Sequence, residues 1–218
     1  MIIDLTHTIT PDMPVFPGSP QPVLRPEATI TRNGHRETEL QFVSHTGTHM
    51  DAPFHLLRDG STLDVIPVSQ FCGRAVALDV SDVPEGGIIT AERLRAQGEQ
   101  LLCADFVLLY TGWEQKWGTA GYFGAFPVPD AEASKYLVSC GLKGVGTDAL
   151  SVDPLKSDDL PVHRALLGGG VMVVENLCLK KIAGRTDLMF YALPLKFEHA
   201  DGAPVRAVAE FRDFPDKE

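Results

Sequence analysis

The chain has 218 residues, of which 44% are hydrophobic and 22% are charged, a globular composition that needs no disulfide or metal in order to fold. Its 19 basic and 29 acidic residues leave a formal net charge of −10, which argues against a nucleic-acid partner because a phosphate backbone would be repelled. No apolar run approaches the ~18 residues of a membrane span, and no signal peptide is visible after Met1. We therefore expect a single cytoplasmic domain over residues 1–218, with no membrane partner.

The first half of the chain predicts mainly strands. Thr90 is typical of a helix N-cap, and a helix is predicted from Ala91 toward Leu102. Near the start of the chain, alternating apolar and polar residues predict a strand, which ends where several prolines impose an irregular segment. The strands predicted in this half are Ile2–Ile9, Arg36–Thr46, Ala75–Val80 and Phe106–Tyr110.

The second half predicts two helices between further strands. One helix spans Asp130–Cys140, with Gly141 as its stop, and the other spans Pro161–Leu167 and ends at three glycines. The predicted strands are Val145–Ala149, Val171–Leu177, Leu188–Leu195 and Val205–Phe214. Because strands and helices mix along the chain, we expect an α/β or α+β protein with a mixed sheet.

Four cysteines lie far apart and form no C-x-x-C pair, so they suggest neither a disulfide framework nor a zinc site. Free cysteine behaves as a small hydrophobic residue in protein interiors. We predict buried, reduced thiols at Cys72, Cys103, Cys140 and Cys178.

Three histidines and a carboxylate fall within eleven positions, at His45, His49, Asp51 and His55. Imidazole nitrogen and carboxylate oxygen are ligands that Zn²⁺ accepts, and a glycine and a proline in the segment allow the chain to bend around one point. On a strand, His49 and Asp51 would also share a face. The segment therefore predicts a metal site. His7, His35 and His199 have no second ligand type nearby, and we interpret them as structural.

The pattern H-x-G-T-H-x-D-x-P-x-H over His45–His55 resembles the signature of the cyclase family of metal-dependent hydrolases, which includes kynurenine formamidases (arylformamidases) and isatin hydrolases. Weaker matches follow in order along essentially the whole chain. They are Asp4–His7, Met13–Gly18, Leu109–Trp113, Gly146–Asp148, Asp153–Pro154, His163, Val174–Leu177, Leu193–Lys196 and Asp201–Ala207.

The resemblance implies an α/β fold of the swivelling β/β/α type, with a mixed β-sheet flanked by helices, and a homodimer. We further hypothesise that the Pro-rich N-terminal segment exchanges between subunits. It also implies Zn²⁺ as the cofactor, two ions per chain, with Mn²⁺ as an alternative. His163 and Glu175 come only from the resemblance, because the residues alone suggest an exposed helix position and a strand end. The implied ligands are His45, His49, Asp51, His163 and Glu175, with Asp51 and Glu175 shared between the ions.

The implied reaction is the hydrolysis of a small, aromatic formamide or related amide, as in tryptophan breakdown. A metal-bound hydroxide attacks the carbonyl, and His55 passes a proton to the leaving nitrogen. Phe16 stands where a tryptophan is expected in the N-terminal loop, and we expect it to contact substrate. The alternatives are a cyclic-amide hydrolase of the isatin type and a metal-binding protein without catalysis.

Several aromatic residues leave two interpretations open. The ring group Tyr122, Phe123 and Phe126 lines the pocket or packs beneath loops. Trp113 and Trp117 are interpreted as structural. Asp148 either orients a ligand histidine or, as we favour, stabilises a turn.

Overall fold

The structure, a computed structural model, describes residues 1–212 as a mixed sheet with helices packed against it. The strands are β1 (Ile2–Asp4), β2 (Val23–Ala28), β3 (Glu37–Gln41), β4 (His49–Asp51), β5 (Cys72–Asp79), β6 (Ile88–Ile89), β7 (Phe106–Tyr110), β8 (Val128–Pro129), β9 (Gly144–Thr147), β10 (Met172–Glu175), β11 (Leu188–Pro194) and β12 (Gly202–Phe211). The α-helices are α1 (Ile30–Asn33), α2 (Ala91–Arg95), α3 (Glu99–Leu102), α4 (Ala131–Ser139) and α5 (Pro161–Gly168).

The main sheet has the order β1-β12-β11-β5-β7-β9-β10-β4. Its central strands β5, β7, β9 and β10 are parallel, and the remaining pairs are antiparallel. β4 pairs with both β10 and β12, so the sheet closes on itself like a barrel. This architecture confirms the predicted mixed sheet flanked by helices and adds the closure, which the sequence did not predict.

β7 shows why the central strands are continuous apolar runs in the sequence. Phe106 and Leu108 point into the core enclosed by the sheet, whereas Val107 and Leu109 point into the core between the sheet and the helices. Both faces are buried, so polar residues do not alternate with apolar ones. The predicted strand Phe106–Tyr110 has the observed bounds.

Local capping explains where the helices begin and end. Asp130 accepts a hydrogen bond from the Ala133 N–H at 2.7 Å, and Gly141 adopts a left-handed φ of 69° just beyond α4. Thr90 caps α2 as predicted, by accepting from the Arg93 N–H. The predicted helix toward Leu102 is nevertheless two short helices, because Gly98, with φ 62°, interrupts it.

Several predicted strands are longer than the observed ones. β1 ends at Asp4, after which Thr6 forms an isolated bridge with Leu177. The strand predicted over Arg36–Thr46 is β3, which pairs only with β2 in an exposed hairpin outside the main sheet. The other strands and α5 lie within a few residues of their predicted bounds. The predicted end of the last strand, Phe214, lies outside the described residues.

The cysteine prediction was correct for the redox state and wrong for burial. All four thiols are free, but Cys103 is exposed and the other three are only half-buried. The apolar sequence around Cys103 belongs to the end of α3, where Leu101 faces the core and the next positions face solvent. Within residues 1–212, no helix has the length and apolar character that crossing a membrane requires.

Candidate metal centre and active site

β4 places two polar side chains side by side in the interior. His49 and Asp51 project from one face of the strand, while Met50 between them points into the apolar core. Nε2 of His49 lies 3.3 Å from Oδ1 of Asp51. The pairing of β4 with β10 sets Glu175 directly opposite His49. The shared face predicted for His49 and Asp51 is confirmed.

His45 reaches the same point through a tight turn. Gly47 has a left-handed φ of 64°, which lets the chain double back before β4. Nδ1 of His45 then lies 2.7 Å from Oδ1 of Asp51. The Gly47 carbonyl also accepts a hydrogen bond from Nδ1 of His49 at 2.8 Å, which leaves Nε2 of that ring facing the acids.

Two residues distant in sequence complete the cluster. His163 lies on α5, and its Nε2 is 3.0 Å from Oε1 of Glu175 and 3.3 Å from Oδ2 of Asp51. Glu175 ends β10, and its other oxygen lies 3.5 Å from Nε2 of His49. Each acid therefore turns its two oxygens toward different imidazoles, an arrangement suited to sharing between two cations.

Besides a group made of His45, His55 and Asp201, the donor atoms form two overlapping triads. One atom each from His45, His49 and Asp51 lie within 4.8 Å of one another, and so do one atom each from Asp51, His163 and Glu175. Asp51 belongs to both. The structure thus brings together all five residues for which metal binding was predicted.

Some residues that orient the cluster were missed by the sequence analysis. Asp153 accepts from Nδ1 of His163 at 2.8 Å, and from the backbone N–H groups of Val162 and His163 at the start of α5. It caps the helix and fixes the ring at once. Asn176, in a left-handed conformation, donates to the Gly47 carbonyl at 2.9 Å. An acid ten residues before a helix histidine was the available signal for Asp153.

Asp148 stabilises a turn, the role that we favoured, and does not orient a ligand histidine. Its buried carboxylate accepts from the backbone N–H and the hydroxyl of Thr111, at 2.9 and 2.6 Å, in the turn that follows β7. The group that orients His163 is Asp153 instead. Burial, opposed by these hydrogen bonds, raises the pKa of Asp148 to about 6.

The cluster stabilises positive charge. Burial alone would raise the pKa of Asp51, but the charges of His45 and His49 lower it well below its usual value. Burial likewise opposes protonation of His45, yet the carboxylates of Asp51 and Asp201 raise its pKa to about 9. For His163, burial is again outweighed, here by Asp153, Asp51 and Glu175, and the pKa rises well above its usual value.

These residues fit a divalent cation. Two buried carboxylates face three imidazoles, and the described residues that line the adjoining cavity include no lysine or arginine to neutralise them. Buried charges require a partner or a metal. Nitrogen and oxygen donors in this combination suit Zn²⁺, and Mn²⁺ also accepts them.

His55 lies beside the cluster. It follows β4 in a short 3-10 turn, and its ring centroid is 4.1 Å from that of His45 and 6.2 Å from that of His163. Burial lowers its pKa, an effect that the nearby charge of Asp51 opposes. Its Nδ1 is 4.0 Å from Oδ2 of Asp201, an acid that the sequence analysis did not select.

A cavity of about 360 Å³ opens onto the cluster. Phe16 lines it, with 43% of its surface exposed. The aromatic residues beyond β7 do not line it, because Tyr122 and Phe126 are buried in a separate core with Trp113, and Phe123 is exposed elsewhere. The packing alternative is therefore the correct one for Tyr122 and Phe126. Apolar lining residues of the cavity are Pro14, Val15, Phe16, Val43, Leu150 and Leu160.

The remaining aromatic and histidine predictions concern packing. Trp113 is buried, and Trp117 stacks on His7 with ring centroids 3.8 Å apart. Both tryptophans are structural as predicted, and so is His7. His35 and His199 are exposed and lie outside the histidine–carboxylate cluster.

The closed mixed sheet and the buried histidine–carboxylate cluster define a class of α/β proteins with a candidate metal centre. The chain belongs to the Cyclase family, described as putative cyclase, whose sequence profile matches residues 3–154. This family membership confirms the resemblance carried by His45–His55.

Individual relatives cover nearly the whole chain. A kynurenine formamidase from Salinibacter ruber is 36% identical over 228 residues, covering 99% of each chain. Isatin hydrolase A from Labrenzia aggregata, solved bound to benzyl benzoate, has a TM-score of 0.88 at 25% identity, covering 98% of this chain and 94% of that one. A potential metal-dependent hydrolase with cyclase activity has a TM-score of 0.80 at 31% identity, covering 99% of each chain.

Proposed function

We propose that this protein is a metal-dependent amidohydrolase that cleaves aryl formamides, in the manner of a kynurenine formamidase. The observation that carries the proposal is the pair of histidine–carboxylate triads sharing Asp51 at the base of a largely apolar cavity. The kynurenine formamidase from Salinibacter ruber, similar over its full length, supports the same activity.

The proposed metal ligands are His45, His49, Asp51, His163 and Glu175, which would hold two Zn²⁺ ions or, alternatively, Mn²⁺. Such ions would lower the pKa of water toward neutrality and would polarise a carbonyl oxygen. Asp153 and the Gly47 carbonyl orient the two rings, because they accept hydrogen bonds from Nδ1 of His163 and Nδ1 of His49.

His55 is the proposed acid–base residue. Imidazole has an unperturbed pKa near neutrality, so it can accept a proton and then donate it to the departing amide nitrogen. The ring lies next to His45, in the group with His45 and Asp201, and outside both triads that share Asp51. A histidine beside the proposed ligands favours catalysis over metal storage, which needs no acid–base group.

The cavity favours a flat, apolar substrate. Phe16 and Val43 at its opening, with Leu150 and Leu160 deeper along its wall, supply a surface for an aromatic ring. Phe16 is the residue that we propose contacts the ring. An aniline-type nitrogen is also a better leaving group than an alkylamine, which suits an aryl formamide.

A cyclic amide is the second candidate substrate. The similarity in fold to isatin hydrolase A, at a TM-score of 0.88, favours it. A lactam fused to an aromatic ring presents the same planar carbonyl and the same type of leaving nitrogen. The two candidates therefore differ in substrate shape and share the proposed site.

The test is metal analysis of the purified protein combined with hydrolysis assays on N-formylkynurenine, formanilide and isatin. We expect about two zinc ions per chain and turnover of the formamides. Turnover of N-formylkynurenine would support a role in tryptophan catabolism, whereas preferential cleavage of isatin would select the second candidate. Stoichiometric metal without hydrolysis of any of the three would contradict the enzyme proposal.

We also propose that the chain, a single domain over residues 1–218, forms a homodimer through the β2–β3 hairpin. Leu24 and Leu40 lie opposite each other on one face of this hairpin, and Leu40 is 59% exposed. An isolated two-stranded ribbon is marginally stable in water, so a partner surface would stabilise it. Light scattering should give twice the chain mass, and Leu40→Glu should give the monomer mass.

A further inference from the structure

The start of β12 and the residue before it lie against the proposed metal centre, outside the two triads that share Asp51. Asp201 belongs instead to the group that it forms with His45 and His55. Gly202 pairs with Asp51 across β4 and β12. The carbonyl of the preceding residue, Asp201, accepts a hydrogen bond from the Ala52 N–H at 2.9 Å. The backbone at Asp201 and Gly202 is therefore fixed relative to the strand that holds His49 and Asp51.

The ring of His45 packs directly on this backbone. A Cβ atom on Gly202 would lie 2.5 Å from Cε1 and 2.8 Å from Nε2 of His45. Real Cβ atoms essentially never come so close to other atoms, so only glycine allows the ring to occupy this position. The conformation of Gly202 is not left-handed, so glycine is required here only because a larger side chain would not fit.

Asp201 fixes the edge of the same ring. Its Oδ2 lies 3.0 Å from Nε2 of His45 and accepts a second hydrogen bond from the Ser44 hydroxyl at 3.3 Å. On the opposite edge, Nδ1 of His45 faces Oδ1 of Asp51 at 2.7 Å. Where a cation replaces the proton on Nδ1, the Nε2 proton would stay donated to Asp201 and the Nδ1 lone pair would point toward the cluster.

We propose that Asp201 and Gly202 are positioning residues that select the tautomer and the plane of His45, so that this histidine binds metal through Nδ1. The proposal rests on the metal-binding function proposed above. Carboxylates in this relation to a ligand histidine typically contribute about 10–100-fold to metal affinity. The side chain of Asp201 is 38% exposed, so replacing it leaves no buried cavity.

The test is competition between the protein and a zinc chelator for Zn²⁺, which measures affinity without an activity assay. We expect Asp201→Ala to lose about 10–100-fold in zinc affinity. Asp201→Asn should recover most of it, because the amide oxygen can still accept from Nε2. The control is Asp4→Ala, which should leave the affinity unchanged. It removes an exposed carboxylate on β1 that pairs with Arg206 of β12.

Gly202→Ala provides a second variant, with a similar loss expected because the new methyl group displaces the ring. Its control is Gly168→Ala, where an added Cβ meets no atom within 4 Å. Imidazole NMR spectra of the zinc-loaded protein should show a protonated Nε2 and a metal-bound Nδ1 on His45.

Three results would overturn the proposal. They are unchanged zinc affinity in Asp201→Ala, equal weakness of the Asn and Ala variants, and metal bound through Nε2 of His45. A wild-type protein that binds no zinc would instead overturn the proposed function, and this inference with it. The two failures are thus distinguished by the wild-type measurement.

Discussion

The floor and the mouth of the cavity are built differently. The floor consists of His49, Asp51, His163 and Glu175, which lie on β4, α5 and β10 and are between 1% and 5% exposed. The mouth includes Phe16 and Val43, which belong to irregular segments and are 43% and 36% exposed. Regular elements hold polar groups within a few tenths of an ångström, whereas loops tolerate change. The floor therefore suits chemistry, and the mouth suits substrate selection.

Asp51→Asn should have the largest effect, because Asp51 is shared by both triads at the floor. The variant should lose stoichiometric zinc and all measurable hydrolysis, since an amide cannot supply the negative charge that both proposed ions require. Metal analysis and an activity assay would show this. The matched control is Asp105→Asn, at an acid that pairs with Lys143 and is not among the residues lining the cavity. Full zinc content in Asp51→Asn would contradict the assignment of the floor.

His55→Ala separates metal binding from proton transfer. The variant should keep its zinc and lose about 10²–10⁴-fold in kcat, the usual contribution of a positioned acid–base group. Metal content and steady-state kinetics on a formanilide are the measurements. A His35→Ala protein, which lacks an exposed histidine elsewhere, should match the wild type in both. A fully active His55→Ala enzyme would exclude this residue as the proton shuttle.

Phe16→Ala tests the mouth. We expect KM for an aromatic formamide to rise by about 2–10-fold, with kcat nearly unchanged, because an aromatic contact contributes about 0.5–1.5 kcal/mol. Phe123→Ala is the control, since Phe123 is 37% exposed and does not line the cavity. A fall in kcat as large as that of His55→Ala would show that the floor and the mouth do not act separately.

Replacement of His7, which packs behind the floor, should have the smallest effect. Its backbone N–H donates to the Thr48 hydroxyl, and burial lowers the pKa of its ring from 6.5 to about 4. The folded state thus favours the neutral ring, so its contribution to stability is present above pH 6.5 and is lost as the pH falls through about 4. His7→Phe should weaken this acid destabilisation.

Urea unfolding at neutral pH and at pH values between 6.5 and 4 measures the effect. Trp117 stacks on His7, and its fluorescence offers a local probe of the same titration. His35→Phe, at an exposed position, should leave the pH dependence of unfolding unchanged. Identical pH profiles for the His7→Phe variant and the wild type would show that burial of this ring has no energetic consequence.

Sequence alone predicted the features that depend on neighbouring residues. The motif from His45 to His55 indicated a metal site, since its ligand types lie on one short segment. The uninterrupted apolar run of β7 indicated a strand buried on both faces. Asp130 and Thr90 indicated helix starts, because an N-cap side chain bonds to a backbone N–H only a few positions away.

Family resemblance was needed for His163 and Glu175, whose surroundings in sequence carry no metal signal. Their meeting with Asp51 results from the antiparallel pairing of β10 with β4 and from the packing of α5 beside them. Pairings of this kind join segments far apart in the chain, so local periodicity does not specify them.

Tertiary structure alone decided which groups orient the cluster. Asp153 and Asp201 became neighbours of His163 and His45 only when the sheet closed and α5 packed against it. The β2–β3 hairpin likewise lies outside the main sheet, although β3 has the alternation of an ordinary strand. The sequence by itself therefore determined the ligand types and many of the local elements. The folded chain decided their arrangement, because long-range strand pairing and burial set the distances between them.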